Sequence, residues 1–365
     1  MDNKSKKKLL VVDDSAFMRK LISDFFIDNK LIEVIGIARN GKDAIEKIKT
    51  LQPDVITLDV EMPVMNGLEA LQRIMEETPV PVVMLSSTTK SGAESTIQAM
   101  EYGAVDFIAK PSGTISLDLH KIKVELVEKV EHAARVSINK IQKSSLMPLK
   151  NRIPKNIEVK KKTETNKEIN WDKSKKKIVL IGTSTGGPRA LQEVITKLPS
   201  NIKAPVLIVQ HMPAGFTKSL AQRLNQLSAI EVKEAQDGDL LQDGHAYIAP
   251  GGFHMRIQKR MSAYYIVLDD KEPPRAGHRP AVDVLFEDNS QFNDFDKIAV
   301  IMTGMGSDGS LGLTQLKKRG NVVAIAESAN TCIVYGMPKA AVETNLVNEV
   351  VDLDQVAKTI IQYLP

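Results

Sequence analysis

Short apolar runs alternate with stretches in which apolar residues recur every three or four positions, and this alternation covers most of the chain. It opens with LLVVDD, an amphipathic stretch from Ala16 to Asn29, LIEVIGIA, a helical pattern over residues 41–51, and DVITLDV. A helix from Gly67, the run PVVMLSS, a helix near residues 93–101, the run AVDFIAK and a helix after about Leu119 complete a first series. Continuous apolar runs read as strands buried on both faces, so strand–helix repetition predicts a doubly wound parallel sheet. A second series starts at KIVLIGTS and continues with a helix over residues 188–198, APVLIVQH, a helix over residues 216–227, a helix from about Pro280, KIAVIMTG, a helix over residues 310–319 and NVVAIAE. Between its halves, HAYIAP, HMRIQ and AYYIVLD are short strands, and a hairpin inserted around residues 253–268 is expected.

The length, 365 residues, suits two such domains and a joining segment. With 42% hydrophobic and 26% charged residues, each half has enough apolar material for a core, which excludes a disordered chain. No apolar run reaches the ~18 residues that would span a bilayer, and the start lacks a signal-peptide pattern, so a cytoplasmic protein without membrane insertion is expected. The single cysteine, Cys332, excludes an intrachain disulfide and a CxxC metal site. Basic charge is concentrated between Ser137 and Lys177, where 13 Lys/Arg face 4 Asp/Glu in a stretch without sustained apolar periodicity. That stretch reads as a solvated, self-repelling tether, and no nucleic-acid partner is expected. The expected division is therefore residues 1–135, a linker over 136–175, and residues 176–365.

Ligands of an open parallel sheet sit beyond the carboxyl ends of its strands. In the first domain those ends carry Asp13 and Asp14, Asp59, Ser86 and Lys110. Three carboxylates repel one another unless a hard divalent cation shares them, which suits Mg²⁺. With charge neutralised, Asp59 can attack a phosphoryl group whose oxygens Ser86 and Lys110 would hold.

In the second domain Ser184 follows IVLIGT, His211 ends VLIVQ, and Asp308 lies beyond AVIMTGMGS. Serine, histidine and aspartate gathered in one crevice suffice for acyl transfer. Residues 182–186, GTSTG, spell the G-x-S-x-G elbow that exposes a nucleophilic serine, and helix onset there aims backbone N–H groups, including that of Thr185, at a developing oxyanion. The order Ser, His, Asp differs from that of α/β-hydrolases, and His245, His254 and His278 compete with His211. Residues 304–309, GMGSDG, also match G-x-G-x-x-G, with Glu327 at the distance of a ribose-binding acid, which leaves a nucleotide-binding regulator open.

Residues 9 to 130 resemble the receiver domain of response regulators, through LVVDDS, the D-x-x-M-P of residues 59–63, Asn66-Gly67, the LSS of the fourth strand and Lys110-Pro111. Residues 176 to 363 resemble the CheB methylesterase family, through IGTSTGGPRAL, QHMPAGFT, IAPGGFHM and TGMGSDGSLGL. The resemblance implies a flavodoxin-like receiver followed by a Rossmann-like catalytic domain with an inserted β-hairpin. It implies Asp59 as phosphoacceptor, a metal held by Asp13, Asp14 and Asp59, and Ser86, Phe107 and Lys110 as switch residues. It further implies Ser184 as nucleophile, His211 as base, Asp308 as orienting acid, and Met305 beside Thr185 at the oxyanion hole. The implied activity is demethylation and deamidation of methyl-accepting chemotaxis proteins in chemotaxis adaptation, with the chemotaxis histidine kinase CheA as phosphodonor, no cofactor for the ester chemistry, and a receiver that covers the catalytic crevice until phosphorylated. A transcription factor under receiver control is the rival from another class; it is disfavoured because no compact helix-turn-helix is legible in the second half.

Overall fold

The computed structural model describes residues 5–110, 116–138, 171 and 175–365. The expected linker, 136–175, lies outside the described residues except for 136–138, 171 and 175.

The first sheet has five parallel strands, β1 (Lys7–Val12), β2 (Ile32–Ala38), β3 (Val55–Asp59), β4 (Val82–Ser86) and β5 (Asp106–Ala109), in the order β2-β1-β3-β4-β5. Between and after them run α1 (Ala16–Phe25), α2 (Gly41–Leu51), α3 (Gly67–Glu77), α4 (Lys90–Glu101) and α5 (Ser116–Ala133). Four of these helices start on a side chain that accepts a first-turn N–H: Ser15, Asn40, Asn66 and Thr89. The chain leaves β1 toward β2 on one side and returns to β3 on the other, so the ends of β1 and β3 border the crevice where strand order reverses.

The second sheet has seven strands, all parallel: β6 (Lys177–Thr183), β7 (Val206–Gln210), β8 (Glu231–Glu234), β9 (His245–Ile248), β12 (Asp296–Ile301), β13 (Val322–Glu327) and β14 (Glu349–Val351), ordered β14-β13-β12-β6-β7-β9-β8. The inserted hairpin is β10 (His254–Arg260) paired antiparallel with β11 (Ala263–Asp269), as the sequence predicts. Helices α6 (Gly187–Ile195), α7 (Phe216–Leu227), α8 (Val282–Asn289), α9 (Ser310–Arg319), α10 (Met337–Glu343) and α11 (Leu353–Gln362) cover its faces. Here β6 lies at the reversal, flanked by β7 and β12, so the three strands that precede Ser184, His211 and Asp308 are adjacent. Trp171, in the expected linker, docks on this domain: its Nε1 donates to Tyr363 O at 2.9 Å and its ring lies under Lys177 Nζ.

Candidate functional site

Register sets the first relationship. Thr183 pairs with Gln210 across β6 and β7, so Ser184 and His211 leave neighbouring strand ends side by side. Gly186, at φ +78°, makes the sharp turn into α6 that an L side chain resists. Gln210, buried at the end of its apolar strand, ties both arms together by donating from Nε2 to Ser184 O at 3.0 Å and to His211 O at 3.1 Å. Behind the elbow, Thr303 O accepts from Ser184 N and from Thr183 Oγ1, while Thr303 Oγ1 donates to Thr185 O at 2.9 Å. Among the described residues, the backbone N–H groups of Thr185 and Met305 donate to no group of the protein.

His211 Nε2 donates to Asp308 Oδ2 at 2.8 Å, and its other ring nitrogen, Nδ1, is buried without a hydrogen-bond partner. Nδ1 is thereby left as the acceptor, since an Nε2–H bond to a carboxylate fixes the tautomer. Asp308 also accepts from Val282 N at 2.7 Å and Asp283 N at 2.8 Å, the first two N–H groups of α8. Burial pushes the Asp308 carboxyl up, but the His211 bond and charge and the two N–H donors outweigh it and hold the group below its ordinary value. His278 stacks on His211 with ring centroids 3.8 Å apart and planes 9° apart; burial, then the charge of His211, bring it down to about 4, so it stays neutral at neutral pH.

Two of the other histidines lie apart from this group, whereas the glycine loop of residues 304–309 belongs to it through Asp308. His254 Nε2 bonds Pro273 O, and His245 pairs with Glu231 at the far strand edge. Glu327, the candidate ribose acid, is fully buried and its two oxygens accept from Thr303 N and Thr331 Oγ1. It serves the loop behind Ser184, and the nucleotide-binding alternative loses its acid. Gln210, Thr303 and Asp283 escaped sequence reasoning; a glutamine ending the apolar run VLIVQ was the one signal on offer.

In the first domain Lys110 Nζ bridges Asp59 Oδ2 at 2.7 Å and Asp13 Oδ2 at 2.9 Å. Asp13, Asp14 and Asp59 each bring a carboxylate oxygen into one group spanning no more than 4.8 Å, with Asp14 exposed. An all-oxygen donor set open to solvent on one side fits a hard divalent ion that keeps waters. Burial, joined by the charge of Asp13 and opposed by Lys110, pushes the Asp59 carboxyl up to about 6, which a bound cation would reverse. Lys110 is pressed down by burial, yet its two carboxylate partners hold it above its ordinary value. Ser86 Oγ donates to Gly92 O at 2.9 Å, turned toward α4.

The two domains touch beside the Ser184 turn. Phe107 stacks on Phe216 with centroids 4.6 Å apart, and Asp106 Oδ2 accepts from Thr185 Oγ1 at 2.5 Å, directly beside the serine elbow. Arg223 of α7 forks onto Glu101 of α4, Nε to Oε1 at 2.7 Å and Nη2 to Oε2 at 2.9 Å. Among the described residues no helix is long and apolar enough to cross a membrane.

Fold and site define a response regulator: a receiver module followed by a parallel α/β output domain with a strand-end Ser, His and Asp. Residues 9–120 match the response regulator receiver domain and residues 179–360 match CheB methylesterase. A protein-glutamate methylesterase/protein-glutamine glutaminase of Geobacillus kaustophilus is 56% identical over 364 residues, 98% of each chain. The one from Bacillus subtilis is 52% identical over 356 residues, 97% of each. The crystal structure of the Thermotoga maritima CheB methylesterase catalytic domain covers 52% of this chain and 98% of its own, at 43% identity and TM-score 0.50. The chain belongs to the CheB methylesterase family.

Proposed function

We propose that this protein hydrolyses γ-glutamyl methyl esters of chemoreceptors to glutamate and methanol, and deamidates chosen receptor glutamines, in chemotaxis adaptation. Relatives that match over nearly their whole length carry both activities in their names. Ser184 is the nucleophile, His211 the base through Nδ1, and Asp308 the residue that orients the ring. Attack of Ser184 Oγ on the acyl carbon sends its proton to Nδ1 and forms an oxyanion facing the N–H groups of Thr185 and Met305. The same proton then leaves with methanol or ammonia, and water, deprotonated by His211, releases the carboxylate from the acyl-serine. The observation that carries this reading is the 2.8 Å bond from His211 Nε2 to Asp308, with Nδ1 buried and unbonded.

The receiver, residues 1–135, controls this reaction from across the linker of residues 136–175, and residues 176–365 catalyse it. Asp59 accepts phosphate from a chemotaxis histidine kinase of the CheA kind, Asp13, Asp14 and Asp59 would hold Mg²⁺, which would supply charge neutralisation, and Ser86, Phe107 and Lys110 respond. The unphosphorylated receiver covers the crevice, which the Phe107–Phe216 and Asp106–Thr185 contacts support. The test is methanol release from methylated receptor membranes, with and without phosphodonor. Ser184→Ala and His211→Ala should abolish both activities while remaining folded; wild-type methanol release from Ser184→Ala would refute the assignment.

A further inference from the structure

Two helices beside the crevice lack a capping side chain of their own. The residue before α8 is Ala281 and the residue before α9 is Gly309, and neither offers a side-chain acceptor. Each helix receives its acceptor from the other. Asp308, just before α9, takes the first N–H groups of α8 from Val282 and Asp283. Asp283, in the first turn of α8, takes the N–H of Gly309 at 2.9 Å and of Gly312 at 2.7 Å, both on Oδ1. A helix N-terminus left without acceptors carries orphan donors and a partial positive charge, so this exchange satisfies both ends at once. It also joins Asp308 to α8 in two directions, through its own carboxylate and through the peptide that follows it.

The turn between the two aspartates has little freedom of its own. Gly309 stands at φ +95°, and a Cβ at Gly312 would meet Asp283 O at 2.8 Å and Phe286 Cβ at 2.7 Å, so the helices are packed backbone to backbone. Both aspartates are nearly fully buried. Burial pushes the Asp283 carboxyl up to about 6, with Asp308 adding to the rise and the two N–H groups opposing it.

We infer that Asp283 is a positioning residue of the reaction: by holding the Gly309 and Gly312 N–H groups on Oδ1 it fixes the turn that carries Asp308, and thereby keeps Asp308 Oδ2 on His211 Nε2. This rests on the triad reading above. What matters in Asp283 is the place of one acceptor oxygen and not the charge. An amide keeps that oxygen where it is, a longer carboxylate moves it, and a methyl removes it.

The experiment measures kcat and KM for methanol release by the phosphorylated full-length protein on methylated receptor membranes, with circular dichroism to verify folding. Asp283→Ala and Asp283→Glu should lower kcat by roughly ten- to a hundredfold with KM changed by less than about threefold, the size expected when a reacting group loses its alignment. Asp283→Asn should stay within about threefold of wild type. In an Asp308→Ala background, Asp283→Ala should lower kcat no further, because the first change has already removed the bond to His211. Wild-type kcat in a folded Asp283→Ala or Asp283→Glu protein, a loss beyond about tenfold in Asp283→Asn, or additive losses in the double variant would each overturn the inference. Where Asp283→Ala does not fold, the comparison of Asp283→Glu with Asp283→Asn decides. If Asp308→Ala alone kept the wild-type kcat, the triad reading would fall, a result separate from any failure of the clamp.

Discussion

Phe107 and Phe216 stack at 4.6 Å with ring planes 28° apart, which places the aromatic of the receiver's last strand on the first turn of the helix that follows His211. An aromatic pair contributes about 1 kcal/mol beyond its area burial, so its loss shifts a closed–open equilibrium by roughly fivefold. Phe107→Ala should therefore raise methanol release in the absence of phosphodonor by roughly that factor or more. Unchanged or lower basal release from a folded Phe107→Ala protein would argue that this contact does not hold the crevice shut.

The receiver site makes a separate prediction. Asp59 is 2% exposed and shares Lys110 with Asp13. Wild-type protein should take up label from radioactive acetyl phosphate with Mg²⁺, whereas Asp59→Asn should take up none, and EDTA should stop labelling of the wild type. Undiminished label on Asp59→Asn would move the phosphoacceptor elsewhere.

How far these arrangements were legible depends on burial. Strands with both faces covered, such as β3 and β7, are near-continuous apolar runs, and their ends located Asp59 and His211 from the sequence alone. The short edge strands β8 and β14 hold too few apolar residues to make a run that can be read. The helix near residue 93 begins earlier, at Lys90, because Thr89 caps it, and a lone threonine before lysine and serine is a weak start signal. Supporting residues were illegible for a different reason. Asp283 in AVDVLFED looks like any acid in a first helical turn, and only the tertiary approach of α9 turns it to another helix's N–H groups. Glu327 was visible only as the acid of the rival nucleotide-binding reading, because spacing from a glycine loop does not say which way a strand-end carboxylate faces.

Gly304 tests how closely the elbow is held. A Cβ there would lie 2.8 Å from Ser184 Cβ and 2.4 Å from Met337 Sδ. The thioether can shift, but the serine is fixed by Thr303 O on its own N–H, so Gly304→Ala should displace Ser184 and lower kcat by about tenfold or more. Receiver labelling and the circular dichroism spectrum should both be unaffected, which separates a local displacement from misfolding. Wild-type kcat in Gly304→Ala would mean that the elbow has slack the contacts do not suggest.

His278 couples stability to pH. Burial, followed by the charge of His211, lowers its value from 6.5 to about 4. In that window the unfolded chain binds a proton that the folded protein does not, so stability is fully present above about 6.5 and is lost as pH falls through about 4. Asp283 and Asp288, raised to about 6 chiefly by burial, titrate with the opposite sign, but they do so in wild type and variant alike and cancel in the difference. His278→Gln removes the ring's share, so its Tm should fall less between about pH 7 and about pH 4 than the wild-type Tm does. Calorimetric scans of both proteins across that range read the difference directly. An equal or steeper fall for His278→Gln would show that the ring takes up its proton in the folded protein and adds nothing to acid sensitivity.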